Sequence, residues 1–295
     1  MTVHGEREIL PSATKADAAK ALQRFTTGYN KAYTKSDPAA MSAVETGPLH
    51  ALTLPGVRAQ RETRPKGWPD YPALRLKDAE FTIPKQKGWP RFFLADAASN
   101  RDDNRWLVLF TRNGSTEPWK AAYLAVVAEN QVPEFRTDQG GWAEPVGGGA
   151  GLPIAPNRLS RAYAEYLRTG EGEFADGALT SVLRAQRQRT AKTLRYWTEY
   201  IDQPVGPPQY APVALRTADG GALAFFAAHH AEKRTMAPGY KVGEIDNSTA
   251  NTLMKGKPEK WLSLAKISES VVRIPKNGPV EFLNRLEGLT AAKGG

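Results

Sequence analysis

Near the start of the chain apolar residues recur at helical spacing. Ala18, Ala21, Leu22, Phe25, Tyr29, Ala32 and Tyr33 share one face over about five turns. Thr14 followed by Asp17 supplies the N-terminal cap, with Asp where a capping box usually has Glu. Asp37-Pro38 reads as the cap and first position of a second, short helix that closes near Gly47-Pro48. Over 54–72 Pro, Gly and Arg break any period, and irregular chain is expected. The pattern then turns to strands: Leu74, Leu76, Phe81 and Ile83 ahead of Pro84, residues 91–95, the apolar run 105–110, and 119–127 after the Asn113-Gly114 turn.

A glycine-rich stretch at 139–153 interrupts the order and reads as a linker. Beyond it the plan repeats loosely. A helix is expected from Pro156-Asn157 through Leu159, Tyr163, Tyr166 and Leu167. A long helix is expected over 180–200, with Leu183, Thr190, Leu194, Trp197 and Ile201 on one stripe. Strands follow over 213–217 and 222–228 around the turn Asp219-Gly220-Gly221, then over 261–267 and 270–274. The fold class is therefore α+β, as two tandem units of helices plus a curved, cone-like antiparallel sheet. The expected division is a disordered segment 1–12, a first unit 13–138, a linker 139–153, a second unit 154–288 and a flexible end 289–295. This element order resembles the nuclear-transport-factor-like or cystatin-like superfold, in which a sheet wraps helices and leaves a pocket. That superfold hosts isomerases, cyclases and plain binding modules, so it does not select a function.

Composition narrows the setting. The 295 residues suffice for two domains, and 7 Trp, 10 Tyr and 10 Phe supply large core side chains. No run approaches the ~18 apolar residues of a membrane span, and Met1 to Arg7 carries no signal-peptide core. Either the protein is cytoplasmic or its start has been trimmed behind an anchor. Cysteine is absent, which removes disulfides and thiolate chemistry. The net charge of +9 favours anionic partners such as acidic lipid headgroups or wall polymers, or serves solubility alone. Nucleic acid is set aside because no groove-reading or RNA-binding signature occurs.

Candidate chemistry is sparse. His229-His230 end a strand and point to opposite faces, so one of them enters any pocket, with Asp246 or Glu232 available as a carboxylate partner. No metal-ligand spacing, nucleotide loop or nucleophile elbow is found, so no catalytic residue, metal or cofactor is assigned. Arg184, Arg187, Lys192 and Arg195 fall on one face of the expected long helix, as a binding surface or as a solvated helix back. Trp68 and Trp89 sit in the repeated tetrapeptide Lys-Gly-Trp-Pro, placed to cap the sheet or to line a shared groove.

Several segments together carry a family resemblance: Thr2-Val3-His4-Gly5-Glu6-Arg7-Glu8, Phe25-Thr26-Thr27-Gly28-Tyr29-Asn30, Phe81-Thr82-Ile83-Pro84-Lys85, Gly88-Trp89-Pro90-Arg91 and residues 286–294. They resemble an actinobacterial family of membrane-anchored or lipoprotein envelope proteins of unassigned activity. The resemblance implies an anchor ahead of residue 2 and an extracytoplasmic, membrane-associated place, and it brings no catalytic residues. The expectation is a non-enzymatic, membrane-tethered binding or scaffold protein whose partner is an anionic envelope component or a membrane protein. The alternatives are an isomerase- or cyclase-type enzyme with a pocket in one cone, and a protein-docking module using 180–200.

Overall fold

The computed structural model describes residues 8–149 and 151–295; the opening segment with His4 lies outside the described residues. From residue 9 the expected disordered start is already paired, β1 (Ile9–Pro11) against β3 (Lys85–Lys87). Helix α1 (Lys15–Lys35) begins where Thr14 Oγ1 accepts from the Asp17 N–H at 3.0 Å, and it buries Ala18, Ala21, Leu22 and Phe25. Helix α2 (Pro38–Val44) is capped by Asp37, which accepts from the N–H groups of Ala39 and Ala40. The irregular stretch expected from residue 54 is instead the second half of helix α3 (Gly47–Thr63). Pro48 lies in its first turn, where a missing N–H costs nothing. Pro55 does interrupt the ladder, but buried Leu49, Val57 and Ala59 hold the helix against its neighbours.

The first sheet is an antiparallel meander of β2 (Leu76–Thr82), β4 (Arg91–Ser99), β5 (Arg105–Arg112) and β6 (Lys120–Val127). The second runs β7 (Tyr196–Pro204), β9 (Ala222–Met236), β11 (Trp261–Ile274), β12 (Glu281–Gly294), with β8 (Val213–Arg216) beside β9 and β10 (Met254–Gly256) beside β12. Helices α4 (Leu159–Thr169), α5 (Ser181–Thr190) and α6 (Ser248–Leu253) complete the second half.

Two helix-plus-sheet halves thus form an α+β protein, stacked sheet against sheet. Along β4 and β5, Phe93, Ala95, Val108 and Phe110 turn toward α1, while Phe92, Leu94, Leu107 and Leu109 turn toward the second sheet. There they meet Leu223, Phe225, Ile267 and Val271; from the far face, Ala224, Phe226 and Val272 pack beneath Leu159 and Tyr163 of α4. The layers run helix, sheet, sheet, helix, and the strands in the middle are buried on both faces. Where a cone was expected to leave a pocket, Phe25, Phe93, Phe110, Trp106 and Trp119 fill the space between α1 and its sheet.

Three further expectations are corrected. The helix expected over 180–200 stops at Thr190; residues 193–196 turn, with Thr193 Oγ1 accepting from the N–H groups of Arg195 and Tyr196, and the chain continues as β7. Tyr196, Trp197, Thr198, Tyr200 and Ile201 are strand formers, and pairing with β9 outweighs their partial helical period. Residues 289–294, expected to be flexible, end β12 and pair with β11 and β10. Within 139–153, Ala143 bridges Pro84 and Pro145 bridges Leu215, so this stretch is stitched to both halves.

The seam between the sheets is polar at one place. The outer N–H groups of edge strand β6 are met by side chains of the other sheet: Leu124 donates to Glu269 Oε1 at 3.2 Å and Val126 to Asn284 Oδ1 at 3.1 Å. Glu45, at the end of α2, is buried beside this edge and accepts from Thr53 Oγ1. Helix α3 lies across β11 and β12, and a Cβ on Gly288 would come within 2.5 Å of the Leu52 carbonyl, so glycine permits that approach.

Candidate functional site

On the helix-facing side of the second sheet three polar residues stand in a row on adjacent strands. Asp202 of β7 pairs with His230 of β9, and Ser268 lies on the neighbouring β11. His230 Nδ1 is 2.6 Å from Asp202 Oδ1, and His230 Nε2 is 2.7 Å from Ser268 Oγ. Asp202 Oδ2 also accepts from Arg187 Nη1 of α5 at 2.7 Å. Arg285 of β12 donates to Tyr163 at 3.0 Å and to Glu287 at 2.8 Å, and Lys266 reaches Glu287 at 3.2 Å. Over this network α5 leaves a recess of about 220 Å³, lined by Gln186, Arg187, Thr190, Tyr200, His230, Glu232, Lys266, Arg285 and Glu287, among others.

The electrostatics follow from burial and pairing. Burial alone would raise the Asp202 carboxyl, but hydrogen bonds from His230 and Arg187 outweigh it and hold its pKa below the ordinary value. Burial lowers the His230 imidazole, with Arg285 and Arg187 adding to the effect against the pull of Asp202. The ring is therefore neutral at pH 7: Nδ1–H donates to Asp202 and Nε2 accepts from the Ser268 hydroxyl. Glu287 is likewise held low, because Arg285 and Lys266 overcome its burial.

The order Asp-His-Ser and its distances are those of a hydrolytic triad. Access is what differs. Ser268 is 0% exposed, and both imidazole nitrogens are spent within the chain. The recess meets no free nucleophile and no free base at this row.

The sequence candidates are distributed as follows. Arg187 and His230 come together here. Asp246 does not: it is exposed ahead of α6, and the carboxylate on His230 is Asp202. His229 points to the opposite sheet face, half-buried with its ring 5.5 Å from Tyr210. The basic face dissolves because its helix ends early. Arg184 lies over Tyr166 and bonds the Leu167 carbonyl, whereas Lys192 and Arg195 sit exposed in the turn before β7. Trp68 packs on Tyr71 beneath Arg64, and Trp89 lies between Arg91 and Arg112, so the two belong to separate clusters and not to one groove. Asp202, Ser268, Arg285 and Glu287 escaped the sequence reading. Strand alternation through Thr198, Tyr200 and Asp202 was the available signal. Among the described residues no cluster suited to a metal ion occurs.

The model of the family described as domain of unknown function DUF8094 matches residues 9–294. The chain belongs to that family. An uncharacterized lipoprotein of Streptomyces avermitilis is 44% identical over the whole of this chain and 90% of its own length. An uncharacterized lipoprotein of Streptomyces coelicolor is 46% identical with the same coverage. A second uncharacterized lipoprotein of S. coelicolor is 25% identical over 77% of this chain and 67% of its own length. The resemblance to an actinobacterial lipoprotein family of unassigned activity is thus met. No helix among the described residues is long and apolar enough to cross a membrane.

Proposed function

We propose that this protein is a membrane-tethered, extracytoplasmic envelope protein that works by binding, with the recess over Asp202, His230 and Ser268 as its ligand site. The envelope location takes its support from two relatives named as lipoproteins that match the whole chain at 44% and 46% identity. The binding role rests on one observation: the row beneath the recess satisfies its own hydrogen bonds and keeps Ser268 out of solvent. Such a floor holds donors and acceptors in fixed positions and reacts with nothing.

The lining also indicates the ligand. Arg187 is paired with Asp202, Arg285 and Lys266 share Glu287, and Glu232 stands in the lining, so the three cations are balanced by three carboxylates. A volume of about 220 Å³ is below that of drug-sized sites. Mixed donors and acceptors of Gln186, Thr190, Tyr200 and Glu232 suit a small uncharged, hydroxyl-rich molecule such as a single sugar. Ligand-detected NMR with glucose and N-acetylglucosamine tests this. Saturable binding that Thr190→Trp abolishes, by filling the rim, is expected; no saturable binding to either sugar refutes the ligand class. Fractionation of cells making the full-length gene product tests the location, and a cytosolic product refutes it. A second reading takes its warrant from the triad order. Turnover of activated esters that Ser268→Ala abolishes would establish hydrolysis in place of binding.

A further inference from the structure

One end of the molecule is both cationic and apolar. It is formed by residues 191–195, 237–242 and 255–260, which lie together: Ala237 N–H donates to the Arg195 carbonyl at 2.8 Å, Met236 N–H to that of Lys260 at 2.8 Å, and Val242 N–H to that of Glu259 at 2.9 Å. These segments carry Lys192, Arg195, Lys241, Lys255, Lys257 and Lys260, all exposed. Against them stands Glu259, paired with Lys257 at 2.9 Å and with Lys241 at 3.9 Å, while the Gly295 carbonyl accepts from the backbone N–H groups of Glu259, Lys260 and Trp261. A large part of the chain's excess of +9 is thus gathered in three short segments.

Apolar side chains stand among these cations with nothing over them. Leu194, between Lys192 and Arg195, is 93% exposed; Tyr240 is 46% exposed, and on the adjoining strand β7 Trp197 and Ile201 are 43% and 51% exposed. Arg195 lies 5.9 Å from the Tyr240 ring, so the two loops present one surface. A solvated loop does not need an isolated leucine at its tip beside two exposed aromatics.

We propose that this end docks on an anionic phospholipid surface. The combination answers to the two layers of such a surface. Lysine and arginine meet the acidic headgroups, each raising the partition coefficient about fivefold near the surface, while Trp197, Tyr240 and Leu194 enter the boundary between headgroup and acyl chain. A soluble polyanion would use the cations and leave Leu194 and Trp197 in water; an apolar protein partner would not call for six lysines and arginines around the contact. The surface is separate from the recess and does not depend on it. It also fixes an orientation. β1 is joined through Pro84, Ala143, Pro145 and Leu215 to the Ala222 end of β9, whereas the cationic surface lies at the Met236 end. Those ends are about 45 Å apart along the strand, so a chain tethered ahead of β1 and docked here lies lengthwise on the bilayer.

Co-sedimentation of the unacylated chain with vesicles tests the proposal. Vesicles of phosphatidylcholine with about 30% phosphatidylglycerol should bind it, vesicles of phosphatidylcholine alone should not, and raised salt should release it. Lys192→Gln with Arg195→Gln should lower the partition coefficient about 30-fold, and Leu194→Ser about tenfold. All three positions are exposed, so thermal stability should not change. Because the chain has no cysteine, Leu194→Cys carrying an environment-sensitive dye reports the surroundings of that position alone, and a blue shift on anionic vesicles is expected. Equal binding to both vesicle types overturns the proposal, and so does no binding to either. Equally tight binding to polyphosphate with no dye shift also overturns it, in favour of a soluble polyanion.

Discussion

The buried carboxyl of Glu45 gives the most quantitative prediction. Burial pushes its pKa from 4.5 to about 8, with the Thr53 hydroxyl pulling the other way, and Oε1 has no partner. The folded chain therefore keeps a proton on Glu45 that the unfolded chain releases in the ordinary carboxylate range. The sign follows: folding takes up a proton, so stability falls as pH rises from about 4.5 and levels off only above about 8. Between pH 5 and pH 8 the difference in bound protons adds up to a loss of about 3–4 kcal/mol. Glu45→Gln keeps a carbonyl for Thr53 and cannot ionise. The variant should lie within about 1 kcal/mol of wild type at pH 5 and exceed it by about 3 kcal/mol at pH 8. Urea unfolding followed by tryptophan fluorescence at pH 5, 6.5 and 8 measures the difference. Parallel stability curves for the two proteins would refute the argument, and a variant less stable than wild type at pH 8 would reverse its sign. Glu269, raised by burial and by Glu45 and carrying a partnerless Oε2, adds to the same slope.

Other expectations concern the row and the packing. Asp202→Asn removes the negative charge and one of the two oxygens that accept from His230 and Arg187 and should cost about 3 kcal/mol in urea unfolding at pH 7, whereas Ser268→Ala loses one hydrogen bond and should cost about 1 kcal/mol. Because the His230 pKa is lowered on folding, the unfolded chain binds more protons, and this group's stabilisation should be lost as pH falls below about 6.5; His230→Gln should flatten that acid limb. Gly288→Ala forces α3 away from β12 and should cost about 2 kcal/mol in thermal unfolding. Phe225→Ala, at the sheet–sheet interface, should cost about 3–5 kcal/mol by the same measure.

Much of the fold was legible because its signals are local. The stripe from Ala18 to Phe25 and the cap at Thr14 need only neighbouring residues, and α1 forms where they place it. The run Trp106-Leu107-Val108-Leu109-Phe110 was read as a strand, but its lack of alternation carried a second message. A strand apolar at every position is buried on both faces, which calls for a further layer and not for an open cone. What escaped depended on distant chain. β12 contains Gly288 and the weak strand formers Ala291, Ala292 and Lys293; pairing with β11, through bulges near Ala265 and Val271, and with β10 at its end makes it a strand. With β12 hidden, Arg285 and Glu287 stood in no register, and with β7 taken for helix as far as residue 200, Asp202 was not placed beside His230. The site was missed because two of its four strands were.

The lengths of the strands account for where the polar features lie. β9, β11 and β12 have 15, 14 and 14 residues, whereas β4, β5 and β6 have 9, 8 and 8. The first sheet meets β9 at Leu223, Phe225 and Ala227, and the rest of that strand runs on by roughly 25 Å. Over that overhang neither face has a sheet to pack on. α3 and α6 cover one face near β12, and α5 stands over the other without closing on it. Burial no longer demands apolar residues there, and His230, Lys266 and Glu287 occupy helix-facing positions that Phe226 and Val272 hold further back. At its tip the overhang exposes Leu194 and Tyr240 among lysines and arginines. A core cannot tolerate a recess or a charged row without loss of packing, so a chain built on two stacked sheets carries both on the part of the longer sheet that the shorter one does not reach.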